Sequence, residues 1–279
     1  MTGRFGAKYP PNGGSIPLPI PGNPLLARVL GERRKHLEGS QYHVNRRVEQ
    51  IARKSRVIII EGISGSGKDT FQSYLRNMLK DRDVYDYSEG ELLQSWKQLQ
   101  IEGVFDVRVK LMKLFANHIR TVVNRDDNAV FLLNRFHLST YASTIIRQPE
   151  LKKEYDEIIS ILRTLPVHVF VLHLNEAEID ERSSHPERST PWQRHQIEIA
   201  KKEGFQDAFE RHLWQQRLIL EAAGKQKIPY SVINFSSSGN FENVQASNPE
   251  ESSNRFRSGR MNNADAKSSP RIRHPARRI

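Results

Sequence analysis

Short runs rich in β-branched residues alternate in the middle of the chain with longer stretches whose apolar positions recur every three or four residues. The short runs predict five strands: Arg56–Glu61, Asp83–Tyr87, Ala129–Asn134, Val167–Leu174 and Tyr230–Phe235. The longer stretches predict helices at Lys68–Lys80, Glu91–Gln100, Phe105–Val123, Leu138–Arg147, Leu151–Leu165, Glu176–Glu187 and Pro191–Ala223. The alternation predicts an α/β domain over residues 55–235, with a five-stranded parallel sheet and helices on both faces. Ligands of such sheets bind at the carboxyl ends of the strands.

Both flanks of this domain differ from it in composition. Residues 1–24 contain five Gly and six Pro, which disrupt helix and strand periodicity and predict a flexible arm. Residues 25–54 place Arg between apolar positions at helical spacing, and we expect a basic amphipathic helical extension that docks on the domain. Residues 236–279 are rich in Ser, Asn and Arg without an apolar period, and they predict a disordered basic tail.

The basic charge of the protein lies in these flanks. Of a net charge of +11, residues 1–54 carry +7 and residues 251–279 carry +6, which leaves −2 for the stretch between them. Flanks with this charge can bind nucleic acid or another anionic surface non-specifically through its phosphate groups.

Composition narrows the class further. The chain has no cysteine, which excludes disulfides, thiolate nucleophiles and cysteine metal sites and fits a reducing compartment. No apolar stretch approaches the ~20 residues needed to span a bilayer, and the first residues lack the apolar segment of a secretory signal. We therefore expect a soluble cytoplasmic protein without a membrane span. A homodimer is compatible with this expectation.

A glycine-rich loop follows the first predicted strand and leads into a helix. It runs from Gly62 to Thr70 with the sequence GISGSGKDT. Its glycines let successive N–H groups turn toward one anion, and Lys68 supplies a cation for the β- and γ-phosphates of a nucleotide. The loop predicts an ATP site formed by Gly62, Ser64, Gly65, Ser66, Gly67, Lys68, Asp69 and Thr70.

The position after the lysine departs from the usual phosphate loop. A Ser or Thr there commonly donates an oxygen to Mg²⁺, whereas this chain has Asp69. A carboxylate can ligate Mg²⁺ directly or through water. Thr70 is a poor substitute because the next helical residue faces about 100° away. We therefore predict Mg²⁺ as a second cofactor, with Asp69 as a ligand.

Three further segments resemble thymidylate kinases. Ala129–Ala142 resembles their strand and the Asp-Arg-Tyr/Phe…Ser…Ala segment after it, and Leu114-Phe115-Ala116 resembles the helix before that strand. Glu181–Arg188 followed by Pro191–Ala223 resembles the arginine-bearing lid and long C-terminal helix of the family. The resemblance covers residues 56–235 and rests on the order and spacing of the motifs. It implies a P-loop kinase with a helical lid.

The resemblance also implies roles for three arginines. In the family, the arginine of the Asp-Arg pair binds the phosphate of the acceptor, and Arg135 holds that position here. Lid arginines stabilise the charge that develops on the transferring phosphoryl group. Because the loop has no arginine between Gly62 and Lys68, Arg182 and Arg188 are the candidates for this role. Together with Lys68, these arginines are the predicted catalytic residues.

Two departures from the family affect the acceptor and metal sites. The acid of the Asp-Arg pair is Asn134, which can hold a water on the metal but cannot act as a base. The family's Arg-Glu-Pro after the second strand is Ser88-Glu89-Gly90, which leaves Glu89 as a second candidate for the metal or the acceptor. Trp96 is instead similar to the Glu-Pro…Trp pattern of deoxynucleoside kinases.

These motifs favour an ATP- and Mg²⁺-dependent kinase that phosphorylates a nucleoside monophosphate, for example a deoxynucleotide such as dTMP. A deoxynucleoside kinase or a polyphosphate-type nucleotide kinase shares the loop and the lid but uses another acceptor or donor. A nucleic-acid-associated NTPase or nucleotide-sensing switch protein is an alternative from another class, in which the basic flanks bind the phosphate backbone. The lid arginines favour a kinase over such a switch.

Overall fold

One sheet organises the part of the chain that the computed structural model describes, residues 46–88, 91, 104–183, 190–235 and 241–247. Its strands are β1 (Val57–Gly62), β2 (Asp83–Tyr87), β3 (Ala129–Asn134), β4 (Val167–His173), β5 (Tyr230–Phe235) and β6 (Phe241–Ser247). They lie in the order β2-β3-β1-β4-β5-β6. β1 to β5 run parallel to one another, so the predicted five-stranded parallel sheet is confirmed, and β6 adds an antiparallel strand at one side.

Helices connect the parallel strands. They are α1 (Arg46–Lys54), α2 (Lys68–Met78), α3 (Val104–Val123), α4 (His137–Thr140), α5 (Lys152–Arg163), α6 (Glu176–Ser183), α7 (Thr190–Lys202) and α8 (Ala208–Lys225). α4 continues into a π-helical turn at Tyr141–Ile145, and a 3₁₀ turn at Pro149–Leu151 precedes α5. The sequence predicts one helix over Leu138–Arg147, where the structure has α4 and this turn.

Both faces of the central strands are buried, as parallel strands with crossover helices require. On one face, Val57 and Ile59 of β1 belong to a core that α3, α5 and α8 complete. On the other face, the ring of Phe71 in α2 lies 5.3 Å from that of Phe170 in β4. Since Phe170 is the register partner of Ile60, the even-numbered residues of β1 face α2. The helices therefore cover both faces of the sheet, as predicted.

α1 is the described part of the helical extension expected over residues 25–54. Its apolar side chains Val48 and Ala52 are buried. Glu49 accepts a hydrogen bond from the Tyr74 hydroxyl of α2 at 3.1 Å, and Arg53 forms an ion pair with Asp81 at 3.2 Å. These contacts hold α1 against the helix that follows the phosphate loop.

The long helix predicted over Pro191–Ala223 is wrong, because the structure divides it into α7 and α8. Gly204 adopts a left-handed φ of 87° just after α7. The Asp207 side chain then caps α8 by accepting from the Glu210 N–H at 2.8 Å, while the Glu210 carboxylate accepts from the Gln206 N–H at 2.8 Å. These two bonds hold the first turn of α8, so that a new helix begins after Gly204.

The prediction of a disordered tail over residues 236–279 is wrong for Phe241–Ser247. These residues form β6, which pairs antiparallel with β5 and has an irregularity beside Ile233 and Asn234. The physical reason is that β5 ends the parallel array and offers an unpaired row of backbone N–H and C=O groups. The rest of the predicted tail, like the predicted arm over residues 1–24, lies outside the described residues.

None of the helices in the described ranges is long and apolar enough to cross a membrane. The helix predicted over Glu91–Gln100 lies outside the described residues apart from Glu91.

Candidate active site

The phosphate loop connects the end of β1 to the start of α2. Gly65 and Gly67 have φ values of 82° and 83°, in the left-handed region that other residues rarely adopt. A Cβ on Gly62 would lie 2.8 Å from the Leu172 carbonyl oxygen and 2.7 Å from Ser66 Oγ. The loop therefore needs glycine at these positions to bring its backbone close around an anion.

Two features of the loop suit a phosphate. Gly67 precedes α2 without a side chain that can cap the helix, which is the arrangement in which first-turn N–H groups bind an anion. Lys68 is only 6% exposed, and its Nζ donates to the Ile63 carbonyl oxygen at 2.7 Å. The lysine therefore lies across the loop, where a phosphate oxygen can replace the carbonyl as its partner.

Arg182, one of the two arginines predicted to belong to a lid, reaches the same loop. Arg182 lies on α6, which begins three residues after β4, and its Nη1 donates to the Gly65 carbonyl oxygen at 3.0 Å. The structure thus brings together two of the cations that the sequence predicts, Lys68 and Arg182. The other lid arginine, Arg188, lies outside the described residues.

A polar cluster joins the loop helix to the end of β3. The Nδ2 atom of Asn134 donates to Asp69 Oδ1 at 2.7 Å and to Gln72 Oε1 at 2.8 Å. Gln72 in turn donates through Nε2 to the Asp86 carboxylate and, at 3.3 Å, to the Tyr87 carbonyl oxygen of β2. The cluster therefore links the carboxyl ends of β3 and β2 to the first turns of α2.

The oxygen atoms of this cluster fit a magnesium ion. The Asn134 Oδ1 atom is buried and has no hydrogen-bond partner among the described residues, and Asp69 adds an exposed carboxylate. Mg²⁺ prefers such hard oxygen ligands and usually keeps several waters or phosphate oxygens as well. No group of three or more His, Cys, Asp or Glu in the described part of the chain can hold a metal by itself. A Mg²⁺ ion at this place would therefore share its coordination with a nucleotide.

Arg135 follows this cluster in an unusual backbone conformation. Its φ is 63°, which places a residue other than glycine in the left-handed region, and its N–H donates to the Ile60 carbonyl oxygen at 2.8 Å. Such conformations persist only where surrounding contacts hold them, and they concentrate at functional sites. The chain turns here from β3 into α4, so the turn determines where the Arg135 side chain starts.

Glu61 holds this turn from the end of β1. Its Oε1 accepts from the N–H groups of Phe136 and Leu138, both at 2.9 Å, and its Oε2 accepts from Ser139 N at 3.1 Å and Ser139 Oγ at 2.5 Å. Three of these partners are backbone N–H groups, which can only donate, and an ionised carboxylate accepts from all three and from the hydroxyl. Burial raises the pKa of Glu61, while these hydrogen bonds and the Arg135 guanidinium act to lower it.

His137 lies beside Glu61 but does not form an ion pair with it at neutral pH. Its Nδ1 is 3.9 Å from Glu61 Oε1, and both residues are fully buried. Burial lowers the pKa of His137 to about 3, so the ring is neutral at pH 7. The contact is therefore one between a neutral ring and a carboxylate that its backbone partners already satisfy.

Aromatic side chains pack at the ends of β2 and β3. The Phe115 ring lies 5.0 Å from Tyr87 and 6.1 Å from Phe136, both edge to face. Just beyond Tyr87, the Glu91 carboxylate accepts from both Ser88 N and Ser88 Oγ at 2.7 Å. These contacts give the end of β2 a fixed geometry next to the Arg135 turn.

Sequence reasoning missed two residues of the site. Gln72 lies four residues after Lys68, on the same side of α2, and this helical spacing was a usable signal. Glu61 is a charged residue at the end of an apolar strand, and an acid is rarely buried there unless hydrogen bonds or ion pairs stabilise it. The predicted metal or acceptor residue Glu89 lies outside the described residues.

No protein-family model matches the chain, and no curated protein matches it significantly. Among solved structures, the chain is similar to a thymidylate kinase from Candida albicans, with 16% identity over 66% of this chain and 86% of that one and a TM-score of 0.42. It is also similar to a thymidylate kinase from Ehrlichia chaffeensis, with 18% identity over 66% of this chain and 88% of that one and a TM-score of 0.34. Both likenesses concern the fold alone.

Proposed function

We propose that this protein is a kinase that uses ATP and Mg²⁺ to phosphorylate a nucleoside monophosphate, for example a deoxynucleotide such as dTMP. The observation that carries the proposal is the hydrogen bond from Arg182 of the lid helix to Gly65 of the phosphate loop. Kinases and related enzymes bring a separate arginine to the phosphoryl group in order to stabilise its developing charge. Lys68 supplies the second cation from the loop itself.

In the proposed mechanism, the chain contributes position and charge, because phosphoryl transfer needs no nucleophile from the protein. The loop N–H groups and Lys68 hold the β- and γ-phosphates of ATP. Mg²⁺, when bound, neutralises charge on these phosphates, and Asp69 and Asn134 are the residues that would hold it. Arg182 is near enough to the loop to follow the γ-phosphoryl group as charge develops on its oxygens.

The acceptor is assigned to Arg135. This residue directly follows Asn134 at the carboxyl end of β3, which is the edge of a parallel sheet where ligands bind. Its left-handed turn is held by Glu61, so the guanidinium starts from a fixed backbone position. A positively charged side chain that starts from this backbone position suits a phosphate on the acceptor, which supports a monophosphate rather than a nucleoside.

The experiment that tests the function measures ADP release with ATP and Mg²⁺ across nucleosides, nucleoside monophosphates and no acceptor. Release that depends on a monophosphate supports the proposal. Release that depends on a nucleoside makes the protein a deoxynucleoside kinase, and release without any acceptor makes it an NTPase or a switch. Replacing ATP by polyphosphate in the same assay tests the polyphosphate-type kinase.

The Lys68→Ala variant shows whether the loop takes part. We expect phosphoryl transfer to fall by at least about a hundredfold, since a charge-assisted contact is lost where the transition state gains charge. Lys80→Ala is the matched control, because it removes the same charge from an exposed position two residues after α2. Equal activity of the two variants at saturating ATP would remove the loop from the mechanism.

The flanks have a separate proposed role. Their charges of +7 and +6 fit non-specific binding to nucleic acid or another anionic surface, and a homodimer is compatible with the kinase. Phosphoryl transfer by Lys68, Arg135 and Arg182 requires neither the basic flanks nor a homodimer.

A further inference from the structure

The candidate metal site carries its carboxylate in an unexpected position. Thymidylate kinases have an acid where β3 ends, and phosphate loops usually have Ser or Thr after the lysine. This chain has Asn134 at the end of β3 and Asp69 after the lysine. The Asn134 Nδ2 atom donates to Asp69 Oδ1 at 2.7 Å, so the two departures meet in space. Two departures in direct contact suggest one change rather than two independent ones.

The orientation of the Asn134 amide follows from its neighbours. Gln72 faces the Asp86 carboxylate and the Tyr87 carbonyl oxygen, and both of these groups only accept hydrogen bonds. Asp86 also forms an ion pair with Arg76, in which its carboxylate again only accepts. The Gln72 amide must therefore place Nε2 toward β2 and Oε1 toward Asn134.

Asn134 then has one orientation as well. Its Nδ2 must face Gln72 Oε1 and Asp69 Oδ1, and a flipped amide would put oxygen against oxygen on both contacts. Its Oδ1 is consequently an obligate acceptor, fully buried and without a partner among the described residues. A buried acceptor of this kind needs a donor or a cation to offset its lost hydration.

We propose that the carboxylate of the metal site lies on helix α2 and not at the end of strand β3, so that Asp69 supplies the charge and Asn134 presents Oδ1 to the cation or its water. Gln72 is the positioning residue that fixes this orientation. The inference rests on the proposed ATP and Mg²⁺ site and concerns which of its residues carries the charge. It implies that Asp69 and Asn134 are tolerated as a pair and not separately.

The direct test exchanges the two residues singly and together. Asn134→Asp alone puts a second carboxylate against Asp69 Oδ1 and Gln72 Oε1, while Asp69→Thr alone leaves the pair without charge. The double variant Asp69→Thr/Asn134→Asp has the more usual arrangement. We expect Asp69→Thr alone to weaken Mn²⁺ binding by about tenfold or more and the double variant to recover most of that loss. Asn134→Asp alone is expected to lower the melting temperature without metal, because two carboxylates then face each other with no cation between them.

Binding is measured without turnover. The probe is Mn²⁺ with the β,γ-imido analogue of ATP, and free Mn²⁺ is read from its electron paramagnetic resonance signal. Asn77→Asp is the matched control for Asn134→Asp, because it adds the same charge at an exposed site on α2. Thermal melts in EDTA show whether each variant is folded, and the melt of Asn134→Asp is expected to recover when Asp69→Thr is added.

Gln72→Met tests the positioning step. It keeps the length of the side chain and removes all three hydrogen bonds of the amide, so Asn134 loses the contact that fixes its orientation. Changes to residues that orient metal ligands typically weaken metal binding about 10–100-fold, and we expect a loss in that range. A melt lowered without any change in Mn²⁺ affinity would show that Gln72 only stabilises the fold, which overturns this part of the inference.

The outcomes separate the inference from the proposed function. If the wild type binds the Mn²⁺–nucleotide pair and the effects of Asp69→Thr and Asn134→Asp simply add, the exchange is refuted while the nucleotide site stands. A change with Asn77→Asp as large as that with Asn134→Asp refutes it too, because surface charge would then account for both. If the wild type retains no Mn²⁺ with the analogue, the proposed ATP and Mg²⁺ site fails, and the inference fails with it.

Discussion

Replacing Glu61 by Gln removes the charge that holds the Arg135 turn while keeping the shape of the side chain. The carboxylate accepts from the N–H groups of Phe136, Leu138 and Ser139 and from the Ser139 hydroxyl. The amide oxygen of a glutamine can keep the first two bonds. The NH₂ group of the glutamine then faces the Ser139 N–H. Two donors oppose each other, and one of them is left without an acceptor.

The cost follows from these contacts. A donor left without a partner in a buried site costs about 1–3 kcal/mol, and the remaining bonds lose their charge assistance. Relief from burying a charge offsets part of the loss, so we expect a net destabilisation of about 2 kcal/mol. For a domain of this size, that lowers Tm by about 4–8 °C. The Arg135 turn loosens as well, and the KM for the acceptor is expected to rise while the KM for ATP stays unchanged.

Thermal melts and steady-state kinetics that vary each substrate in turn measure both effects. Ser139→Ala is the matched comparison, because it removes one of the four bonds and leaves the carboxylate in place. Its loss is expected to be no more than about 1 kcal/mol. A Glu61→Gln protein that melts within about 1 °C of the wild type and keeps its acceptor KM would refute the assignment of Glu61 to this turn.

Two more predictions follow from the site and its buried neighbour. Arg135→Ala should raise the KM for the acceptor and Arg182→Ala should lower kcat, each by about ten- to a hundredfold. Arg125→Ala is the exposed control and should change neither constant. If Arg135→Ala changed only the KM for ATP, the assignment of Arg135 to the acceptor would be wrong. Because burial lowers the pKa of His137 to about 3 from 6.5, the unfolded chain takes up a proton first as pH falls from 6.5 toward 3, and folding stability is lost over that range. Urea titrations at several pH values measure the free energy of unfolding. Over this range it should fall by about 1.4 kcal/mol per pH unit less in His137→Leu than in the wild type, and equal slopes in both proteins would contradict the prediction.

The parallel sheet could be predicted because its strands carry their signal locally. Runs such as Val57–Ile60 are apolar at every position, as strands buried on both faces must be. The phosphate loop could be predicted too, because its glycines and Lys68 directly follow the first strand. The break between α7 and α8 also had a local signal in Gly204 and in Asp207 with Glu210 three residues later. The apolar period running through both helices outweighed it.

The polar cluster could not be predicted in the same way. Asn134 and Asp69 lie 65 residues apart, and Gln72 and Asp86 lie 14 apart on a helix and an edge strand. Their contact depends on the register of β1 with β3 and of β3 with β2, which the pattern of one segment does not contain. β6 is a similar case, because Phe241 and Val244 alone do not make a strand without β5 beside them.

β6 also determines how far the chain can be shortened at its C-terminal side without exposing the unpaired edge of β5. β5 exchanges backbone hydrogen bonds with β4 on one side and with β6 on the other. A chain cut after Phe235 would present the outer row of N–H and C=O groups of β5 to any extended peptide, including the same edge of another molecule. Such edges promote association between chains, and a cut after Ser247 keeps β5 paired and leaves the irregular β6 as the outer strand. In a truncated protein, the seven residues of β6 would decide between dispersed molecules and aggregates.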